Sequence, residues 1–165
     1  MTKQISFLQS NETHKEASNG CDIELSVDGA SRCNPGLSGA GIAIKYADHL
    51  KRYSYFLGIK TNNQAEYLAL ILGLMHIKAP ASISITSDSL LLVKQIKGEY
   101  KVRNSNIIDL YSYAKKLLEN FDYKIKHILR EKNTEADKLA NIAVDKKVEI
   151  PNDIKTRLLK AGIKI

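Results

Sequence analysis

The segment from Asn63 to Lys78, NQAEYLALILGLMHIK, reads as a helix that is apolar almost all the way round. Such a helix is stable only when other elements cover it on every side, so the chain must build a layered domain about it. The flanking periodicities supply the layers. Ile23, Leu25 and Val27 alternate with Glu24, Ser26 and Asp28, the pattern of a half-buried strand ending at about residue 28 with Asp28 on its polar face. GAGIAIKYA and RYSYFLG form the arms of a hairpin that turns around Asp48 and His49. After the buried helix come a short strand at Ser82–Ser87, helices at Leu90–Lys97 and Ile107–Asn120, a strand at Tyr123–Leu129 and a helix at Thr134–Lys146. The order βββ-α-β-α-α-β-α implies an α/β domain: a mixed sheet covered by helices, its fourth strand parallel to its first through a right-handed crossover.

With 165 residues, 44% hydrophobic and 26% charged, the composition fits one soluble globular domain with a sizeable core. Residues 1–20 are polar and aperiodic, the pattern of a flexible leader. The domain is expected over 21–146, followed by a tail, 147–165, in which a short helix at Ile154–Ala161 packs Ile154 and Leu158 on the domain. No apolar run approaches the roughly 20 residues of a membrane helix, and the N-terminus lacks the apolar segment of a secretory signal. Cys21 and Cys33 are not spaced as a metal pair, which implies reduced thiols and a cytoplasmic location; a monomer is expected. The net charge of +7 points to a polyanion partner. Lys94, Lys97, Lys101 and Arg103 gather around Tyr100, either as a solvated helix end or as a surface that tracks phosphates.

In open sheets of this kind, function sits at the C-terminal ends of parallel strands, and Asp28 and Asp88 both occupy such ends. Glu66 is the only formally charged side chain between Ala65 and Ile77, on a helix that should exclude charge. Each acid has an ordinary explanation alone. Glu66 completes a capping box if Asn63 is the N-cap. Asp88 serves as an N-cap or first-turn acid, and Asp137 occupies N3 if Thr134 caps. Together, however, Asp28, Glu66, Asp88 and Asp137 can meet at one edge of the sheet, where they would repel unless neutralised. Hard divalent cations do this, and Mg²⁺ prefers carboxylate oxygens, with Mn²⁺ a possible substitute. Two such ions roughly 3.5–4 Å apart suit an in-line phosphoryl displacement. Asp145 is a poorer member, since eight helical residues carry it about 12 Å from Asp137. Thr61, Asn62, Asn63 and Gln64 crowd a helix N-terminus, where backbone N–H groups favour anions.

Four stretches, DGASRCNPG, TNNQAEY, TSDSLLLVKQIKGEYKV and REKNTEADKLAN, occur in the order and on the elements of type 1 ribonuclease H, and the chain resembles that family from about Ile23 to Asp145. It looks closest to the compact bacterial and archaeal branch without an added hybrid-binding domain. The resemblance implies a five-stranded mixed sheet with helices on both faces and hydrolysis of the RNA strand of an RNA–DNA hybrid, leaving 5′-phosphate and 3′-hydroxyl ends. It implies that Asp28, Glu66, Asp88 and Asp137 bind metal, that Asn34, Asn63 and Gln64 touch the minor groove, and that Thr61, Asn62 and Asn104 hold a DNA-strand phosphate. Three features depart from the family pattern. Cys33 stands where the loop often has Gly. The basic protrusion is shortened to Gly98–Arg103, which argues against tight, processive binding. Where many relatives carry a His on a mobile loop, this chain has HILREKNTEAD; Arg130 is the preferred substitute, and His127 is expected to pack beside the core with Ile125 and Leu129. The alternatives are a non-catalytic nucleic-acid-binding module and an integrase-like nuclease of the same fold.

Overall fold

The computed structural model describes residues 23–165, so the leader (1–20) and Cys21 lie outside the described residues. Strands β1 (Ile23–Ser31), β2 (Gly36–Tyr46), β3 (His49–Lys60), β4 (Ala81–Ser87) and β5 (Phe121–His127) form one five-stranded sheet in the order β3-β2-β1-β4-β5. The β3–β2–β1 half is antiparallel and the β1–β4–β5 half parallel, so the sheet is mixed. The helices are α1 (Asn62–Met75), α2 (Leu90–Ile96), α3 (Ser105–Leu118), α4 (Thr134–Lys146) and α5 (Asn152–Lys160), with a 3-10 turn at Arg130–Lys132.

Helix α1 is buried from Tyr67 through Met75, as its all-round apolarity requires; it packs on β1 and β2 with α3 on its other side. The Tyr67 hydroxyl donates to Gln95 Oε1 of α2 at 2.8 Å, satisfying both polar groups inside the core. Helix α4 covers the opposite face over β1, β2 and β3. Its contact surface is Ala136, Leu139, Ala140, Ala143 and Val144, small enough to lie directly on glycines of β2. A Cβ on Gly41 would stand 1.9 Å from the Ala136 carbonyl oxygen and 2.4 Å from the Ala140 nitrogen. On the other face, a Cβ on Gly29 would meet the Ala65 and Glu66 backbone of α1 at 2.2–2.3 Å. Gly29 and Gly41 thus let a helix approach each face beside Asp28. After α4, Ile150, Ile154, Leu158 and Ile163 are all buried in the main core, and the Phe56 N–H donates to the Val148 carbonyl at 2.7 Å.

Several boundaries differ from those read in the sequence. β1 continues past residue 28 to Ser31 because β2 still pairs with it, whereas its parallel partner β4 stops at Ser87, opposite Val27. Asp28 therefore lies one residue beyond the parallel ladder, and it is buried (5% exposed) rather than on an open polar face. Tyr46 pairs with His49, so the hairpin turns on Ala47 and Asp48, one residue early, with Ala47 at φ 45°. β5 ends at His127, not Leu129, because its partner β4 has run out; the Ile128 N–H makes a last bond to the Ser87 carbonyl at 2.9 Å and the chain turns away. His127 closes an edge strand and is exposed, as is Leu129 at 54%, so neither packs beside the core. Helix α3 starts two residues before Ile107 because Asn104 caps it, accepting from the Asn106 N–H at 2.9 Å.

Gly41→Ala should destabilise the protein by about 2–3 kcal/mol, at the upper part of the range for overpacked sites, because the obstructing atoms are helix backbone and cannot rotate aside. Urea denaturation measures this; a midpoint equal to wild type would show that α4 does not sit on β2 as described.

Candidate active site

Three elements meet at the edge of the sheet where the parallel ladder stops, and each brings a carboxylate. Asp28 stands in β1 one residue past the last parallel rung, Asp88 follows β4, and Glu66 sits one turn into α1. Their nearest oxygens lie within 4.8 Å of one another. Neither Glu66 nor Asp88 has the helix-capping duty that its position suggests. α1 is capped by Thr61, not Asn63: the Thr61 side chain accepts from the Gln64 N–H at 3.2 Å, and Gln64 Oε1 accepts from the Thr61 N–H at 2.9 Å. That closes a capping box and leaves Glu66 out of it. α2 is capped by Ser89, so Asp88 is neither N-cap nor first-turn acid. Asp137 also lies one position deeper than N3, because α4 begins at Thr134 after Asn133.

The electrostatics follow from crowding. Burial, then the charges of Asp88 and Asp137, push the Asp28 carboxyl up to about 7. Burial, then Asp28 and Asp88, hold Glu66 well above the ordinary carboxylate range, against the Gly29 N–H and Arg130, which favour its charged form. Glu66 Oε2 is buried without a hydrogen-bond partner among the described residues. An orphaned carboxylate oxygen beside two further carboxylates is a poor structural arrangement but a good ligand set. Among the described residues the donors are all oxygen, with no His or Cys in the cluster, which fits a hard divalent cation such as Mg²⁺ and not zinc.

Asp137 lies outside this three-acid group, and Arg130 Nη2 donates to its Oδ1 at 2.9 Å. It is still close enough for its charge to act on Asp28. Arg130 is 76% exposed; with Asp28, Glu66 and Asp88 it lines a cleft of about 460 Å³ whose wall includes Arg32, Asn62 and Asn141. Arg130 thus pairs with Asp137 and not with Glu131 or Glu135. Asp145, by contrast, is taken up by an ion pair with Arg32.

The polar residues form a second cluster beside the cleft. Asn34 Oδ1 accepts from the Asn62 N–H at 3.0 Å and ties the β1–β2 loop to the start of α1. Gln64 is committed to the capping box, while Asn62 and Asn63 are exposed. Asn104 caps α3; its neighbours Ser105 and Asn106 share a cavity of about 230 Å³ with Lys60 and Gln64. Lys94 pairs with Glu99 at 3.1 Å and lies over the Tyr100 ring, which leaves Lys97, Lys101 and Arg103 as the exposed cations of that segment.

Two residues of the site escaped sequence reasoning. Asn133 is buried between β1 and Asp88, and Asn141 Nδ2 donates to the Asp137 carbonyl at 2.9 Å from the next turn of α4. Asn141 shares a helix face with Asp137 at i+4, a spacing visible in the sequence. Asn133 precedes a helix and reads as nothing more than a cap.

A family profile described as "Reverse transcriptase-like" matches residues 26–143. The chain is 38% identical over 129 residues to the "Bifunctional protein Rv2228c" of Mycobacterium tuberculosis, covering 74% of this chain and 35% of that protein, so it spans about a third of that relative's length. It is 31% identical over 150 residues to the ribonuclease H of Desulforamulus reducens, covering 81% of this chain and 94% of the relative. Among solved structures it is similar to LC11-RNase H1, crystallised in complex with an RNA/DNA hybrid, at a TM-score of 0.69 and 31% identity over 76% of this chain and 99% of that one. With its mixed sheet and both helical layers, the chain belongs to the type 1 ribonuclease H family.

Proposed function

We propose that the chain hydrolyses the RNA strand of RNA–DNA hybrids without sequence preference, leaving 5′-phosphate and 3′-hydroxyl ends, with two Mg²⁺ ions, for which Mn²⁺ can substitute. The observation that carries this reading is the convergence of Asp28, Glu66 and Asp88 within 4.8 Å, with Glu66 Oε2 unpartnered. These three carboxylates would hold metal, and Asp137 would complete the set on release from Arg130. Bound there, divalent ions supply a nucleophile at neutral pH and neutralise the charge that develops on the phosphate. Arg130 remains charged at any working pH and can grip a phosphate bidentately. Short polar side chains at Asn34, Asn63 and Gln64 suit a minor groove displaying 2′-hydroxyls, and Thr61, Asn62 and Asn104 would hold the DNA-strand phosphate. The hybrid bound by the similar LC11-RNase H1 supports this substrate class.

Cleavage of one labelled duplex in RNA–DNA, RNA–RNA and DNA–DNA forms, with and without Mg²⁺, tests the proposal. Only the hybrid should be cut, only with metal, and binding should weaken steeply with salt as phosphate contacts are screened. Comparable cutting of all-DNA duplex would favour the integrase-like alternative.

Asp28→Asn should lower kcat by roughly a thousandfold, the cost of losing a metal-ligating carboxylate, with the fold intact. The same residue sets a pH dependence in the metal-free protein. Its folded value lies near 7 against an ordinary 3.8, so the native state holds a proton that the unfolded chain releases between those values. The stabilisation is complete below the ordinary value and is lost as pH rises through 7. The metal-free melting temperature should therefore fall across that window, and Asp28→Asn should flatten the fall. An equally steep fall in the variant would assign it to other groups.

Arg130→Ala should lower turnover about tenfold while shifting stability by less than ~1 kcal/mol, since an exposed ion pair contributes little. His127→Ala should leave both almost unchanged because the ring is exposed on an edge strand. Turnover and melting of the two single variants decide between them; a large kinetic loss for His127→Ala with Arg130→Ala silent would reverse the roles.

A further inference from the structure

Asn133 immediately precedes α4, the position at which an asparagine ordinarily turns its side chain back to cap the helix. Here it makes no side-chain cap. Its side chain is buried, with the residue only 2% exposed, and both of its hydrogen bonds lead away from its own helix. Nδ2 donates to the Val27 carbonyl at 3.0 Å and to Asp88 Oδ1 at 3.0 Å. Val27 is the residue before Asp28, at the last rung of the parallel ladder. The main-chain carbonyl of Asn133 accepts from the Asp137 N–H at 3.0 Å. One residue therefore touches β1 at its last parallel rung, the carboxylate that follows β4 and the first turn of α4.

The chemistry of these partners fixes the amide. Both are acceptors, so only the two-donor end of a carboxamide satisfies them, and Asn133 Oδ1 is left buried without a protein donor among the described residues. A cap-forming rotamer would satisfy the helix instead and release Asp88. Forgoing the cap costs the helix stability. What the arrangement achieves is placement: with Oδ1 of Asp88 held by a neutral donor tied to β1, Asp88 is fixed relative to Asp28 despite their repulsion.

We infer that Asn133 is a positioning residue of the metal centre, bridging the β1 backbone at Val27 and Asp88 so that the Asp28 and Asp88 carboxylates keep the spacing that a divalent cation requires. The inference rests on the metal-centre reading above. Groups that orient metal ligands typically change metal affinity or activity 10–100-fold when removed, so Asn133→Ala should weaken Mn²⁺ binding to the substrate-free protein by about tenfold or more. On an RNA–DNA hybrid, kcat should fall while KM stays within about twofold, because the Asn133 side chain bonds to neither the Asn34–Gln64 cluster nor Arg130, and its one tie to Arg130, a backbone N–H donated to the Arg130 carbonyl at 2.9 Å, survives the substitution. Calorimetric titration with Mn²⁺, steady-state kinetics and circular-dichroism melting of the same preparations read these effects.

A folded Asn133→Ala protein with Mn²⁺ affinity within about twofold of wild type would overturn the inference whatever its melting temperature, since a purely structural asparagine affects folding and not ligand spacing. Should Asn133→Ala fail to fold, Asn133→Ser, which keeps one donor, is measured in its place; if that also fails to fold, the role is structural and the inference falls. Failure of wild type to bind Mn²⁺ or to cut the hybrid would remove the metal-centre reading itself, a result distinct from either.

Discussion

Like charges push Asp28, Glu66 and Asp88 apart, yet their oxygens lie within 4.8 Å. In a protein interior such repulsion is screened far less than in water, so each carboxylate must be held by something stiffer than a surface loop. Asp28 is held by β1, which is hydrogen-bonded to β2 on its far side after β4 has ended. Glu66 is held by α1, buried on every side over its last nine residues. Asp88 has only the short step between β4 and α2 behind it and takes its hold from Asn133. The layered core is therefore what confines the charge.

Close backbone approach turns this confinement into a cleft. Gly29 brings the start of α1 against β1, and Gly41 brings α4 against β2, with Asp28 between the two glycines in register: it pairs with Gly41 and precedes Gly29. The approach on one face delivers Glu66, and the approach on the other delivers Asp137 and Asn141. With larger residues at these positions both helices would stand off, and the acids would sit at opposite corners of an open groove. Positive side chains arrive from the periphery, Arg130 from a turn and Arg32 from the β1–β2 loop, and line the same cleft as Asp28, Glu66 and Asp88, each arginine paired with an acid of α4.

Much of this was legible in the sequence because it rests on periodicity and residue type. The alternation in Ile23–Val27 and the all-round apolarity of α1 each report a local requirement that the fold keeps, and of the four acids Asp28, Glu66 and Asp88 come together while Asp137 stands outside them. Cap assignment was not legible. TNNQAE offers two overlapping capping boxes, Thr61 with Gln64 and Asn63 with Glu66, both chemically sound; only the start of α1 at Asn62 selects the first and frees Glu66. The same ambiguity between neighbours separates Asp88 from Ser89. His127 was misjudged because alternation tells which face a residue shares, whereas burial depends on whether anything covers that face at the end of an edge strand. Asn133 was missed because its partners, Val27 and Asp88, lie 106 and 45 residues away and depend on tertiary structure alone.

The burial of Ile150, Ile154, Leu158 and Ile163 in the main core has a consequence for the order of events during synthesis. Each strand of the sheet emerges from the ribosome before these residues do, and β5, α4 and the last core side chains all come from the final third of the chain. Domains fold as cooperative units when their core is complete, so a nascent chain that has passed β4 still exposes the apolar underside of α1 and the sheet. Closure of the core waits until Ile163 has left the ribosome, and until then the apolar surfaces that these last residues cover stay open.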